Sequence, residues 1–482
     1  MSIKKNFIYN ALLGLTNILV PIVTFPYVAR VLGPDGIGIT SFAISLSVTF
    51  IVLGSLGIPI YGIREIAKAK GNDQKLSKTF SELVSIHFIW SLIVILLFAL
   101  WLFFSNTYTD ETAIKYLSFL HILSSVGLIN WFYQGIEKYK FISILNLISK
   151  ILTIGLLFVL IKQPEDYWLY YFIIVLSNAL SAIISVVYSV KHVKFTIVGL
   201  NFRKHLKPIL ILFSTQLAIS IYVNMDVIML KYFSVVAQVG YYAAAIKIVK
   251  ILLVGITSLG VVLIPKIATY IQEKKPEEVK SLIEKSINFV VLLSFPTIAM
   301  VVLTSKNLID LFAGNAFMEA AILVKLLAPL ILIIGLTNIF ALQILVPSNK
   351  EKDYMKAVLV ALVINIVLNS MLIPILQSKG AVIATVVTEL TGLILTFYYS
   401  RKLVRFSLNL KLILKYLLIS LLFVPLSFLI SMVFKQDVMF LITFLTSAIM
   451  LYGLVLLFLK DAFFMDHILK PLRNGTRNLL KL

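Results

Sequence analysis

Apolar blocks of bilayer length follow one another along this chain with no soluble-sized stretch between them, and that succession leaves few folds open. A window of about 20 residues, the helix length that crosses hydrocarbon, finds fourteen of them. They lie near 7–28, 37–60, 83–104, 114–133, 141–161, 168–190, 209–230, 239–265, 286–303, 321–346, 357–375, 381–399, 416–434 and 438–459. Apolar residues run continuously within each block and do not alternate, which selects helices over barrel strands. Composition agrees: 60% of residues are hydrophobic and 13% charged, against roughly 45–50% and 25% in soluble domains. The expected fold class is an all-α polytopic membrane protein with about fourteen transmembrane helices. The first apolar run continues to Tyr27 with no small-residue cleavage pattern before Arg30. It is therefore expected to be a retained helix and not a signal peptide.

Charge orients the bundle. The N-terminal stub, the loops near 61–82, 134–140, 191–208, 266–285, 347–356 and 400–415, and the tail from 460 carry 32 Lys/Arg, whereas the alternate loops carry seven. Those seven are Arg30, Lys115, Lys162, Lys231, Lys306, Lys379 and Lys435. By the positive-inside rule both termini are cytoplasmic. The asymmetry also accounts for most of the +21 net charge, so topology and anionic-lipid contact explain it better than nucleic acid does. The basic tail "FFMDHILKPLRNGTRNLLKL" either lies on the inner leaflet or is solvated.

Several chemistries are excluded. The chain has no cysteine, hence no disulfide, iron–sulfur cluster or thiolate metal site. Its five histidines are scattered, and no P-loop, H-E-x-x-H, EF-hand or dinucleotide fingerprint occurs. Loops of at most about 20 residues leave no room for an ATPase or glycosyltransferase domain. Neither an enzyme nor a cofactor is expected.

A weak internal echo suggests duplication. "VARVLGPDGIGITSFAIS" follows the first span and "MLKYFSVVAQVGYYAAAIK" the seventh. In each, a helix ends at a basic residue (Arg30, Lys231), a short turn follows, and a glycine (Gly38, Gly240) opens the next helix. The stretch 191–208 sits where a six-plus-six division needs a linker. Expected domains are thus a six-helix lobe at 1–200, a second at 201–400, and two peripheral helices with a basic tail at 401–482. Parallel repeats of this kind place a substrate cavity between the halves near the midplane.

The motifs "TFPYVARVLGPDGIG" (24–38), "GLINWFYQGIEKYKFISILNLISKILTI" (127–154), "NMDVIMLKYFSVVAQVGYYAAA" (224–245) and "GAVIATVVTELTGLIL" (380–395) resemble, across the whole chain, the polysaccharide-transporter branch of the MATE-like flippase superfamily. Its members include the Wzx-type O-antigen and capsule repeat-unit flippases. The resemblance implies a bacterial plasma-membrane exporter that works by alternating access on undecaprenyl-diphosphate-linked oligosaccharides. Membrane lipids and polysaccharide polymerase machinery are candidate partners, and the sequence does not say whether a polymerase docks. The resemblance implies no covalent chemistry and so no catalytic residue.

Six Lys, Asp and Glu residues fall well within spans: Lys150, Asp226, Lys247, Lys250, Lys325 and Glu389. Each costs about 2.5–3.5 kcal/mol at mid-helix on insertion scales. Lys247 and Lys250, three apart, share a helical face. Snorkelling rescues a lysine near a span end, and Asp226 has Lys231 nearby for a structural pair. The functional alternative is a cationic cavity for a diphosphate, with Lys250 foremost, Lys247, Lys150 and Lys325 in support, and Arg30 and Lys231 completing the set. Asp226 and Glu389 are the candidates for a coupling ion, and His87 and His121 for titration near neutral pH. Two rival functions remain: a multidrug antiporter, which would favour an acidic cavity, and a membrane polymerase or ligase, which would need a large outer loop.

Overall fold

The structure, a computed structural model, describes residues 3–105, 111–434 and 438–470. The loop at Lys435 and the tail beyond Lys470 lie outside the described residues. Among those described there is no strand. The helices in chain order are α1 (Ile3–Ser55), α2 (Ile58–Ala69), α3 (Asp73–Phe104), α4 (Thr112–Ser125), α5 (Asn130–Gly135), α6 (Tyr139–Leu160), α7 (Tyr167–Ser189), α8 (Arg203–Phe233), α9 (Val236–Gln272), α10 (Pro276–Ala313), α11 (Ala320–Leu327), α12 (Leu330–Asn338), α13 (Glu351–Leu376), α14 (Ser378–Arg401), α15 (Leu410–Leu421), α16 (Phe423–Val433) and α17 (Val438–Phe458).

Among the described residues, twelve stretches are long and apolar enough to span a bilayer, and the pair Ala320–Leu327 with Leu330–Leu345, bent by 41°, makes thirteen if counted as one span. The long α1 contains a further division. Its 53 residues would measure about 80 Å as one rod, far more than the ~30 Å of hydrocarbon. It breaks at Gly33, whose φ of 68° is open to glycine and strained for other residues. Pro34 then starts the second arm, where a missing N–H costs nothing. The break divides α1 into two arms, so the expected count of about fourteen is approximate.

Several expected loops are shorter than the hydropathy implies. At 266–285 the chain is almost wholly helical: α9 continues to Gln272 and α10 begins at Pro276, leaving a three-residue turn. Polar residues end a hydropathic span without ending a helix, because backbone hydrogen bonds persist into the headgroup region.

By internal contacts the chain forms two compact units, residues 1–243 with 362–381, and residues 244–361 with 382–482. Within the first, α2 packs on α5 at close range. A methyl at Gly62 would lie 2.4 Å from the Trp131 ring, and one at Gly135 would lie 2.5 Å from Ile66. The stretch 191–208 is strapped to the start of α3. Lys194 N–H donates to Ser77 Oγ (3.1 Å), Thr196 N–H to Ser81 Oγ (2.9 Å) and Asn201 N–H to Glu82 Oε1 (2.9 Å). Glu82, fully buried, also contacts Lys204 Nζ at 2.7 Å and His205 Nε2 at 2.9 Å. The far ring nitrogen of His205 meets the Tyr61 hydroxyl at 2.8 Å. A charge removed from water is thereby fully engaged, which is what makes its burial tolerable.

The echoed glycines meet each other's helices. A methyl at Gly38 would lie 2.3 Å from the Val236 carbonyl oxygen, and one at Gly240 would lie 2.0 Å from that of Pro34. Gly38 and Gly240 are 202 positions apart, and so are Pro34 and Val236. The contact is reciprocal, as a two-fold axis between repeats requires. No side chain larger than hydrogen fits at either crossing.

Candidate functional site

Asp226, on α8, is 5% exposed. A carboxylate this deep in an apolar bundle must have its oxygens hydrogen-bonded, since an unpaired one costs several kcal/mol. Tyr242 Oη, on α9, donates to its Oδ2 at 2.6 Å. Asn365 and Asn369 Nδ2, on α13, donate to its Oδ1 at 2.9 and 2.7 Å. Asn369 Nδ2 is also 3.0 Å from Asn365 Oδ1. The two asparagines, four residues apart, occupy one face of α13, so a single helix delivers both. Asn369 Oδ1 is buried and accepts no hydrogen bond, an unusual state for a buried polar oxygen. The cluster therefore gathers a carboxylate, two amide oxygens and a phenolic oxygen, all hard donors of the kind that hold alkali or alkaline-earth cations or a proton.

Beyond the structural pair with Lys231 that the sequence offered, the structure gives Asp226 three partners from other helices, Tyr242, Asn365 and Asn369. The local spacing of five residues suggested Lys231, but α8 directs Asp226 towards α13. Asn365 and Asn369 were not singled out in the sequence, although an i, i+4 asparagine pair inside "VALVINIVLNSMLIPIL" is a legible signal of an inward polar face.

The lysines are placed as follows. Lys247 and Lys250 stand a turn apart on α9, Lys247 half-buried and Lys250 exposed. Lys150 on α6, Lys325 on α11 and Lys231 at the end of α8 are half-buried. Arg30 is exposed and donates back to the Pro26 carbonyl at 3.2 Å. Glu389 on α14 is half-buried and lies within electrostatic range of the Tyr354 hydroxyl. Lys150, Asp226, Arg30 and Lys231 belong to the first unit; Lys247, Lys250, Lys325 and Glu389 belong to the second.

The two histidines singled out in the sequence both lie in the first unit. His87 is buried. His121 is held between the Tyr171 hydroxyl (Nδ1, 3.1 Å) and Asn178 Nδ2 (Nε2, 3.0 Å), and Tyr171 passes on to Ser47 Oγ at 2.8 Å. A pocket missed in the sequence lies in the second unit. It has a volume of about 100 Å³ and a mostly apolar lining, into which Thr257, Ser286, Asn338 and Gln343 bring polar groups. Ser286 Oγ donates to Gln343 Oε1 at 2.8 Å. Gln343 lies within a π-helical turn, Ile339–Leu345, a backbone form that is often found at functional sites.

With this geometry in place, solved structures show the fold, which is MurJ-like and MATE-like. The chain aligns with a structure titled "Lipid II flippase MurJ, inward closed conformation" at a TM-score of 0.76 and 13% identity, covering 96% of this chain and 100% of the other. It aligns with an inward-facing multidrug resistance MATE family transporter at 0.64 and 14%, covering 80% and 93%. Sequence comparison goes further. Residues 3–271 match the family described as "Polysaccharide biosynthesis protein", and residues 211–371 match MatE. The chain belongs to the polysaccharide biosynthesis protein family, on the Wzx-type branch that its motifs resemble. Two relatives are described as "Putative O-antigen transporter". The one from Escherichia coli (strain K12) is 25% identical over 408 residues, 84% of this chain and 98% of that one. The one from Shigella dysenteriae is 22% identical over 392 residues, 80% and 97%.

Proposed function

We propose that the protein moves undecaprenyl-diphosphate-linked oligosaccharide repeat units from the inner to the outer leaflet of the bacterial plasma membrane by alternating access. The observation that carries this reading is membership of the polysaccharide biosynthesis family, in a chain that matches its O-antigen transporter relative over 98% of that relative's length. Both termini are cytoplasmic, as the 32 to 7 distribution of Lys/Arg between alternate loops indicates. Residues 1–200 and 201–400 form the two repeats and 401–482 is peripheral; the reciprocal Gly38/Gly240 contact supports the pairing.

Intramembrane cations supply the affinity. Lys250 and Lys247, with Lys150 and Lys325, would cost on the order of 10–14 kcal/mol if all faced lipid, so they face a water-filled path. There they attract a diphosphate, which lysine binds as a compact charge, with Arg30 and Lys231 acting nearer its outer end. Asp226 is the coupling site. A cation or proton taken up by its oxygen cluster changes the bonds that tie α8 to α9 and α13, and so biases which conformation is populated. Glu389 is the weaker candidate because it is less buried. The cycle forms and breaks no covalent bond, and so needs no catalytic residue.

The test is glycan and lipid-carrier analysis of a deletion strain. Loss of a surface polysaccharide with accumulation of inward-facing lipid-linked units is expected. Unchanged glycans accompanied by new drug sensitivity would assign a multidrug antiporter instead.

A further inference from the structure

We infer that a cleft at the turn between α9 and α10 is a binding site for the phosphate headgroup of a membrane lipid. Three segments remote in sequence converge on it: Tyr270–Lys280, Ser348 and Leu403–Arg405. Its volume is about 580 Å³, within the range of small-molecule sites. Lys274, Lys275, Lys280 and Arg405 line it against one carboxylate, Glu277.

Two features separate this cleft from an ordinary solvated basic face. The first is charge left uncompensated. Lys275 pairs with Glu273 at 2.7 Å and Lys280 with Glu277 at 3.6 Å. Lys274 and Arg405 form no ion pair among the described residues. The second is backbone placement. Lys274 lies in the turn after α9 in the left-handed region, φ 53°, a position glycine would occupy at less cost. Arg405 precedes Phe406, which is buried and stacked on Phe340 with ring centroids 5.4 Å apart. It is followed within two residues by Ser407, whose N–H and hydroxyl both donate to Glu284 of α10, at 2.8 and 2.7 Å. The guanidinium is therefore carried on an anchored loop. The α10 N-terminus at Pro276 adds the positive end of its dipole.

Depth selects a lipid as the source of the phosphate. The apolar run of α9 ends at Pro265, and Tyr270 lies five residues on, about 7 Å along the helix. That is the thickness of one headgroup layer, where tyrosine is also enriched. All three segments lie on the Lys/Arg-rich side, where anionic headgroups concentrate.

The experiment is native mass spectrometry of the full chain with bound lipid, titrating phosphatidylglycerol against phosphatidylcholine. No transported substrate is present, so the result is independent of the proposed transport. The double variant Lys274→Gly, Arg405→Gln should retain phosphatidylglycerol about tenfold or more weaker than wild type, with phosphatidylcholine unchanged. Lys274→Gly relieves a strained backbone, so loss of fold does not explain a weaker site. Lys356→Gln, which removes a cation already paired with Asp353 at 3.0 Å, should change nothing. Equal phosphatidylglycerol retention in the double variant and wild type would overturn the site. Displacement of the lipid by inorganic pyrophosphate at equal concentration would overturn its assignment to a lipid.

Discussion

Substitution of Gly240 by alanine adds one methyl group at the helix crossing, and its effect can be worked from the backbone. The methyl would sit 2.0 Å from the Pro34 carbonyl oxygen, where carbon contacts under 3.0 Å do not occur. The two helices must part by at least about 1 Å. The atom met is backbone, so no side-chain rotation relieves it. Overpacking of this kind costs about 1–3 kcal/mol, and a backbone clash belongs at the upper end. Gly155, on α6, is the internal standard. A methyl there meets nothing within 4 Å, so Gly155→Ala should stabilise by up to about 1 kcal/mol through helix propensity. Thermal unfolding of the purified protein should therefore move several degrees down for Gly240→Ala and slightly up for Gly155→Ala. Gly38→Ala should behave like Gly240→Ala. Because one parting accommodates both methyls, the double variant should lose less than the sum of the singles by about 1 kcal/mol or more. Wild-type stability in Gly240→Ala, or strictly additive losses in the pair, would refute the reciprocal contact.

Other consequences are as direct. Asp226→Asn should leave the protein folded, since the buried charge is removed along with its need for donors, while abolishing any dependence of transport on a cation gradient; an unchanged dependence would remove Asp226 as the coupling site. Asn369→Leu should destabilise by about 1–3 kcal/mol by stripping a donor from a buried carboxylate, read as a lower melting temperature. His205→Ala should cost about 2–3 kcal/mol, because Glu82 stays buried with one partner fewer, and limited proteolysis near 191–208 should quicken. In the cysteine-free background, single cysteines after Ser348 and after Lys379 should label from inside and outside respectively; labelling from one side would break the proposed topology.

The extent to which the fold could be read from the sequence follows from what hydropathy measures. Spans were legible because each is a continuous apolar run. The division of the first helical stretch was legible in the hydropathy, but its position was not: the sequence ended one helix at Arg30 and opened the next at Gly38, whereas the break falls at Gly33. The length of α9 and α10 was not, since "KIATYIQEKKPEEVKSLIEKS" is polar yet helical almost throughout. Lateral relations were harder still. Asp226 finds its partners 139 and 143 residues away, and no local pattern encodes that distance. Lys231, five residues off, was the only partner that local spacing offered, because the direction a side chain takes from a helix depends on which neighbour packs there. The Glu82 strap on 191–208 was invisible for the same reason. The glycine echo, by contrast, carried three-dimensional information: its 202-residue repeat reappears as a physical contact between the repeated segments.

Reconstituted transport tests the central claim most directly. Purified protein in liposomes containing an undecaprenyl-diphosphate-linked oligosaccharide should expose or protect the glycan from an external glycosidase at a rate well above protein-free vesicles. Lys250→Ala should slow this, Lys250→Arg should retain part of it, and Lys250→Glu, which sets like charge against the diphosphate, should be slowest at matched protein abundance. Translocation no faster than in empty liposomes would contradict the flippase assignment. Wild-type rates in Lys250→Glu would contradict the cationic path.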